Sequence, residues 1–409
     1  MSAVRMDHVR YYAEKLMSPS LSGDDVSQLM QQAGDSFSAF SERLLAGNFN
    51  SSEDGLLSLS LGVASSRGEV LHAAAIGRRD PQNNPQEEVG TDALYNIGSI
   101  SKFILMILTL QLIQQNRLCF NTTVADCLPD IAIPNKKTIT IEHLLAHRSG
   151  LKDCGFIMLK ENDPVTNLLA KKADQSPDLA GLPGAAFYYA NLNYVIIAHI
   201  IQACMQKNLQ ACFEALIANK LHIQHTGVID QFKPTSPVTA GYKFILDSSD
   251  ELPGLTESTG TYMFGATGFQ STPADLTKIM IHFFNNDDFI QPHLRQKVLN
   301  SISEETFEVI TQTQVHRWPT KTGLGIERRE VVVDGVDMTI YCHGGWQDGH
   351  AAFLAYSPVN HQAYCACVSK TQDLHLLKRG VAYQNNAIFK GPSDYQSEDF
   401  RSKGLGPRH

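Results

Sequence analysis

Tyr95-Asn96-Ile97-Gly98-Ser99-Ile100-Ser101-Lys102 leads straight into the apolar run Phe103–Ile113 (FILMILTLQLI), and that junction decides how the chain reads. An apolar run of this length behind a Gly-Ser turn predicts a buried helix over 99–116. Ser99 and Lys102 stand three residues apart, so on that helix they share a face. A serine hydroxyl attacks a carbonyl only when something takes its proton, and a lysine removed from water can do so. The first N–H groups of such a helix have no intrahelical acceptor and can hold a developing oxyanion.

The tetrad alone is a weak signal, since it recurs as Ser149-Gly150-Leu151-Lys152. That copy has Gly directly after Ser and no apolar helix behind it, so it reads as a turn. Ser99 needs partners, and two further phrases supply them. Tyr189-Ala190-Asn191, within FYYANLNY before a helix, offers a phenol to relay the serine proton and an amide to hold an acyl group. Tyr383-Gln384-Asn385 has the same pattern but lies beyond the final strands and is discounted. His343-Gly344-Gly345-Trp346 follows the strand-like MTIYC, and its glycines permit close backbone approach. The Trp346 N–H can then join that of Ser99 in an oxyanion hole.

The chain has 409 residues, 43% of them hydrophobic, enough for one large domain or two ordinary ones. A net charge of −8, a pI near 6.0 and no Lys/Arg run argue against nucleic-acid binding. The N-terminus lacks the apolar core of a signal peptide, and 103–113, which contains Thr109 and Gln111, is too short to span a bilayer. The expectation is a cytosolic protein, or one exported without a cleavable signal. The eight cysteines are scattered, and only Cys365 and Cys367 are close. At i and i+2 on a strand they point the same way without metal-ligand spacing, so they read as buried thiols.

Helical periodicity covers 4–17 and 24–46, an N-terminal extension over residues 1–50. Leu56–Ala64 and Glu69–Ile76 flank Ser65-Ser66-Arg67-Gly68 as a hairpin, followed by a polar loop from Gly77 to Gly90. Helices dominate the middle at 141–147, 163–173, 192–206, 209–220 and 273–285, the last opened by Thr272-Pro273. Strands return at 330–333, 338–342, 351–356 and 362–369, then a last helix over about 371–389. This pattern predicts an α+β fold: one antiparallel sheet assembled from both ends of the chain, flanked by helices, with a helical subdomain over about 117–260 inserted. The catalytic domain would occupy 51–390, and the polar segment 391–409 would be a disordered tail.

Five phrases in order, ALYNIGSISK, TIEHLLAHRSGL, FYYANLNYVIIAHIIQ, GATGFQSTPADL and CHGGWQDGHAAFLAYSP, resemble the serine β-lactamase and penicillin-binding-protein superfamily. They are most similar to its class C β-lactamase-like branch, which includes D-aminopeptidases, carboxypeptidases and esterases. The resemblance covers roughly residues 50–390 and implies a β-lactamase/transpeptidase-like fold. It implies Ser99 as nucleophile, Lys102 and Tyr189 as proton relay, and Asn191, His343, Gly344, Gly345 and Trp346 as substrate-binding residues. Lys321-Thr322-Gly323 spells the third motif of better-known β-lactamases, but KTGLGIE matches the strand preceding that motif in this branch.

The expected activity is hydrolysis of a small-molecule ester, amide or peptide through an acyl-enzyme, with no metal or organic cofactor and no nucleic-acid partner. An acyltransferase or transpeptidase on the same scaffold, or a non-catalytic protein that binds through the cleft, are the alternatives. Gly-x-Ser-x-Gly is absent, so an α/β-hydrolase elbow is unsupported. His143 and His147 lie four apart without the His-Glu-x-x-His order and read as packing and turn residues. Relatives with lysine at His343 grip a substrate carboxylate. A histidine titrating near 6.5 would hold an anion weakly, with a grip that fades from pH 6 to 8.

Overall fold

The computed structural model describes residues 4–18, 21–33, 56–80, 83–131, 133–152, 181–244, 255–257, 264–310, 315–347 and 349–372. The expected helix at 163–173, the end of that at 24–46, the last helix beyond 372 and the tail lie outside the described residues. The chain starts with two helices, α1 (Val4–Leu16) and α2 (23–33). Strands β1 (Leu56–Ala64), β2 (Val70–Asp80) and β3 (Asn84–Glu88) follow, then the short β4 (Tyr95–Asn96). The helical middle comprises α3 (Ile100–Gln114), α4 (Val124–Cys127), α5 (Ile141–Leu145), α6 (Asn191–Met205) and α7 (Leu209–Phe213). It also carries the short strands β5 (Gly227–Val228), β6 (Tyr242–Phe244), β7 (Leu255–Glu257) and β8 (Phe269–Ser271). Helices α8 (Pro273–Asn285) and α9 (Pro292–Asn300) lead into β9 (Ser303–Ile310), β10 (Val315–Thr322) and β11 (Glu327–Val333). Strands β12 (Val336–Gln347), β13 (His350–Ser357) and β14 (Gln362–Gln372) complete the described fold.

The main sheet runs β3-β2-β1-β14-β13-β12-β11-β10-β9. Within it β1 pairs antiparallel with β14, from Leu56↔Lys370 to Ala64↔Ala363, so strands from both ends of the chain build one sheet. Only the short β6, beside the end of β14, pairs in parallel among the described strands. On one face, Tyr12, Ala13 and Leu16 of α1 and Leu29 of α2 pack with Leu59, Ile340 and Phe353 of the sheet. On the other face lie α3 and α8, within a cluster that continues into α6. Burial of this apolar surface is the main stabilising term, at roughly 25 cal/mol per Å².

Three parts differ from the sequence reading. The loop expected at 77–90 contains β3, because Arg78↔Glu88 and Asp80↔Asn84 pair into an edge strand despite Pro85; edge positions tolerate proline. The hairpin β9–β10 mixes Glu304, Glu305, Glu308, Arg317 and Lys321 irregularly with Phe307, Ile310 and Trp318, so its pairing left no periodic signal. Strand β12 does not stop at Cys342 but carries His343, Gly344, Gly345 and Trp346 within it. Strand β11 starts opposite Cys342, so this last part of β12 runs beyond the β11 end.

The junction of α3 with β12 is tight. A Cβ on Gly345 would overlap the carbonyl oxygen of Ile97, and one on Gly98 would stand 2.5 Å from the Trp346 backbone N. Gly98 also has φ +52°, where a side chain is strained. Gly345→Ala is expected to lower stability by about 1–3 kcal/mol, the scale of overpacking. Gly23→Ala, with nothing near its Cβ position, is the control. Equal urea midpoints for the two variants would contradict the close approach.

Burial also sets a pH dependence. It holds His199 down to about 4 and pushes His147, His282 and His343 below the ordinary 6.5. The unfolded chain therefore binds more protons between these values, and stability is full above pH 6.5 and declines as pH falls toward 4. Asp275, raised by burial, opposes the trend as a single group. Urea midpoints are expected to fall over this window, and less steeply in His199→Leu; a midpoint independent of pH there contradicts it.

Candidate active site

Ser99 stands where a serine normally caps a helix, yet it does not cap. Its backbone has φ −66° and ψ −8°, already helical, and its side chain bonds no helix N–H. A capping serine takes extended backbone and turns its oxygen onto the N2 or N3 amide. Here Gly98 absorbs the turn, and the Ser99 Oγ faces Lys102 instead. The Ser99 N–H donates to no group among the described residues.

Lys102 is 0 % exposed, although it sits in a helix of apolar neighbours. Its Nζ donates to Ser99 Oγ at 2.9 Å and to the Ala266 carbonyl at 3.0 Å. It also lies 5.1 Å from the ring centre of Tyr189 and 5.8 Å from that of Tyr194. An amine withdrawn from water requires such partners. The Tyr189 hydroxyl donates to the same Ser99 Oγ at 3.0 Å. Lysine, serine and tyrosine, ninety residues apart in sequence at their widest, thus converge on one oxygen. Tyr194 turns away, its hydroxyl donating to the Leu145 carbonyl at 2.8 Å.

Asn191 is buried as the first residue of α6, two positions after Tyr189. His343, Gly345 and Gln347 alternate along β12 on the face toward α3, as the contact of Gly345 with Ile97 and Ile100 shows. The Trp346 side chain points to the opposite face, into the cluster beneath α1, so only its backbone borders the Gly98–Ser99 turn. His343 is 5 % exposed, and its Nδ1 lies 2.7 Å from the Gly344 carbonyl. A carbonyl only accepts, so Nδ1 carries the proton, and the neutral ring keeps its lone pair on Nε2. Burial pushes this imidazole below its usual range, while Glu327 pulls it up and Lys102 adds to the depression. The pH-dependent grip expected between pH 6 and 8 therefore moves below 6.5.

The decoys separate. Ser149 Oγ donates to Asn193 Oδ1 at 2.6 Å and accepts the Leu151 N–H, so the second Ser-x-x-Lys is a turn. Lys321 has a 40 % exposed side chain on β10, two strands from β12, with Glu304 at 3.9 Å. Tyr383-Gln384-Asn385 lies outside the described residues. Each described cysteine is a free thiol, and Cys365 and Cys367 share a buried face with their sulfurs 3.8 Å apart. His143 and His147 part company. His143 Nδ1 accepts the Thr140 N–H as part of a helix cap, whereas His147 stacks on Tyr189. Sequence reading gave His147 only a packing and turn role and passed over Asn193. Their only signal was the left-handed turn that a Ser-Gly after a short helix foretells.

Among the described residues no helix is long and apolar enough to cross a membrane. Of solved structures, the D-amino acid amidase from Ochrobactrum anthropi SV3 superposes with a TM-score of 0.64 at 18% identity, covering 78% of this chain and 87% of that one. The octameric penicillin-binding protein homologue from Pyrococcus abyssi gives 0.62 at 18% identity, with 82% and 73% covered. These likenesses establish the β-lactamase/transpeptidase fold. Among curated proteins, the teichoic acid D-alanine hydrolase of Staphylococcus aureus is 26% identical over 190 residues, 46% of this chain and 45% of that protein. Esterase EstB of Burkholderia gladioli is 25% identical, over 42% of this chain and 47% of its own. The match thus spans about half the length of these curated relatives. The family comparison reaches further, over residues 26–384, and with it the chain belongs to the Beta-lactamase family.

Proposed function

We propose that this chain is a serine hydrolase acting through an acyl-enzyme on a small ester or amide. The observation that carries the reading is the convergence of Lys102 Nζ and Tyr189 OH on Ser99 Oγ, at 2.9 and 3.0 Å. In this reading Ser99 Oγ bonds to the substrate carbonyl carbon as its proton passes to the Lys102–Tyr189 pair. The pair returns the proton to the leaving alcohol or amine as the carbonyl–heteroatom bond breaks. The N–H groups of Ser99 and Trp346 hold the oxyanion, and Asn191 orients the acyl part. Water, deprotonated by the same pair, then cleaves the Ser99 ester and releases the acid. In this reading the catalytic unit is residues 51–390, with the helical subdomain inserted at about 117–260.

The relatives support ester or amide chemistry, since one is a D-alanine hydrolase and another an esterase. His343 narrows the substrate class. A neutral imidazole with its lone pair on Nε2 offers no fixed positive charge and repels a carboxylate at close range. The preferred substrate therefore lacks a mandatory carboxylate, and penicillins and cephalosporins are poor substrates.

A panel of p-nitrophenyl acetate and butyrate, D-aminoacyl esters and amides, and a chromogenic cephalosporin tests this. Neutral esters are expected to be cleaved by the wild type and not by Ser99→Ala. Esterase activity that survives in Ser99→Ala contradicts the reading. Lys102→Ala and Tyr189→Phe should each lower turnover by roughly 10²–10⁴, the usual scale of lost acid–base help. Their effects should not multiply, because the two groups act as a unit. His343→Lys should raise cephalosporin turnover relative to neutral esters. Fast cephalosporin turnover in the wild type with no esterase activity would overturn the substrate class and bring Lys321 back into consideration.

A further inference from the structure

His147 is tied to Tyr189 from several sides. Its ring lies flat on the phenol, centroids 4.2 Å apart and planes 26° from parallel. Its Nδ1 accepts the backbone N–H of Ala190 at 3.2 Å, and its own carbonyl accepts that of Tyr188 at 2.8 Å. The residues on either side of Tyr189 are thus hydrogen-bonded to the same histidine that covers its ring. Asn193 closes the arrangement. Its Nδ2 lies 3.3 Å from His147 Nδ1, while its Oδ1 accepts from Ser149, which fixes the amide the right way round. Phe187 meets the imidazole edge-on at 5.9 Å.

This geometry sets the charge of the ring. An amide N–H only donates, so Nδ1 must keep its lone pair and the imidazole is neutral. Burial pushes its pKa well below 6.5, and Lys102 and His343 add to the depression. The backbone at His147 adopts φ +54°, a left-handed conformation uncommon outside glycine and asparagine. Such a conformation persists only where the surroundings over-determine it, and functional sites are where that occurs.

We infer that His147 is a positioning residue for the proton relay, holding Tyr189 by ring face and flanking backbone so that its hydroxyl reaches Ser99. This rests on the relay proposed above. A tyrosine loop preceding α6 has no helical or sheet ladder to hold it, and a relay displaced by about 1 Å loses much of its effect. The histidine replaces the missing ladder with two main-chain bonds and one aromatic stack.

The test is a double-mutant cycle read by an active-site fluorophosphonate, which reports nucleophile activation without a known substrate. His147→Asn tolerates the left-handed backbone and can still accept from Ala190, but removes the ring. It is expected to lower the covalent rate kinact by roughly 10–100-fold with KI unchanged, on the scale of a misplaced catalytic group. In the Tyr189→Phe background, which has no hydroxyl to position, the same substitution should cost less than about threefold. An equal loss in both backgrounds, or no loss in either, overturns the inference. Labelling of Tyr189→Phe at the wild-type rate fails the relay itself and takes this inference with it. Thermal melting of each variant establishes the fold. Should His147→Asn not fold, His147→Phe keeps the ring, loses the acceptor, and should give the same non-additivity.

Discussion

A single buried amine organises this molecule. Lys102 has no exposed surface, and a charge or strong dipole placed there costs several kcal/mol unless its surroundings answer it. The answers come from distant parts of the chain. Ser99 supplies a hydroxyl, the Ala266 carbonyl a second acceptor, and Tyr189 and Tyr194 two aromatic faces. Remove any of these and the lysine must find water, which the apolar cluster around α3 excludes. The helix, the turn before β8 and the loop before α6 are therefore fixed relative to one another by the requirement of one side chain.

The second constraint is steric. Ile97 and Gly98 must pass within van der Waals contact of β12, which requires glycine at both Gly98 and Gly345. That approach brings the first free helix N–H, from Ser99, beside the backbone of Trp346. It also explains why Ser99 abandons the cap conformation, since the turn is made by Gly98 rather than by Ser99. Local preference gives way here for a site, the kind of conflict expected where a chain carries function.

Much of this was legible in the residues. The apolar run behind Ser99 foretold a buried helix because no polar face interrupts it, and Pro273–Asn285 was readable from Thr272 and Pro273 at its start. The union of β1 with β14 followed from strands at both ends around a helical middle. Other parts were hidden for identifiable reasons. Strand β3 contains a proline, and β9–β10 scatters charged residues and Pro319 among its apolar ones, so neither shows clean alternation. His343 was placed directly after the strand-like MTIYC, whereas β12 continues through His343 and the paired glycines. His147 was read as a turn residue, which its φ bears out, but no sequence spacing could show that its ring covers Tyr189.

The central claim is that Ser99 is the nucleophile, and mapping the peptide modified by a fluorophosphonate addresses it most directly. Mass spectrometry of the digested, labelled protein is expected to find the phosphonyl adduct on Ser99 alone, and no adduct in Lys102→Ala at matched exposure. An adduct on Ser101 or Ser149, or an unlabelled Ser99 in folded protein under forcing conditions, would contradict the account.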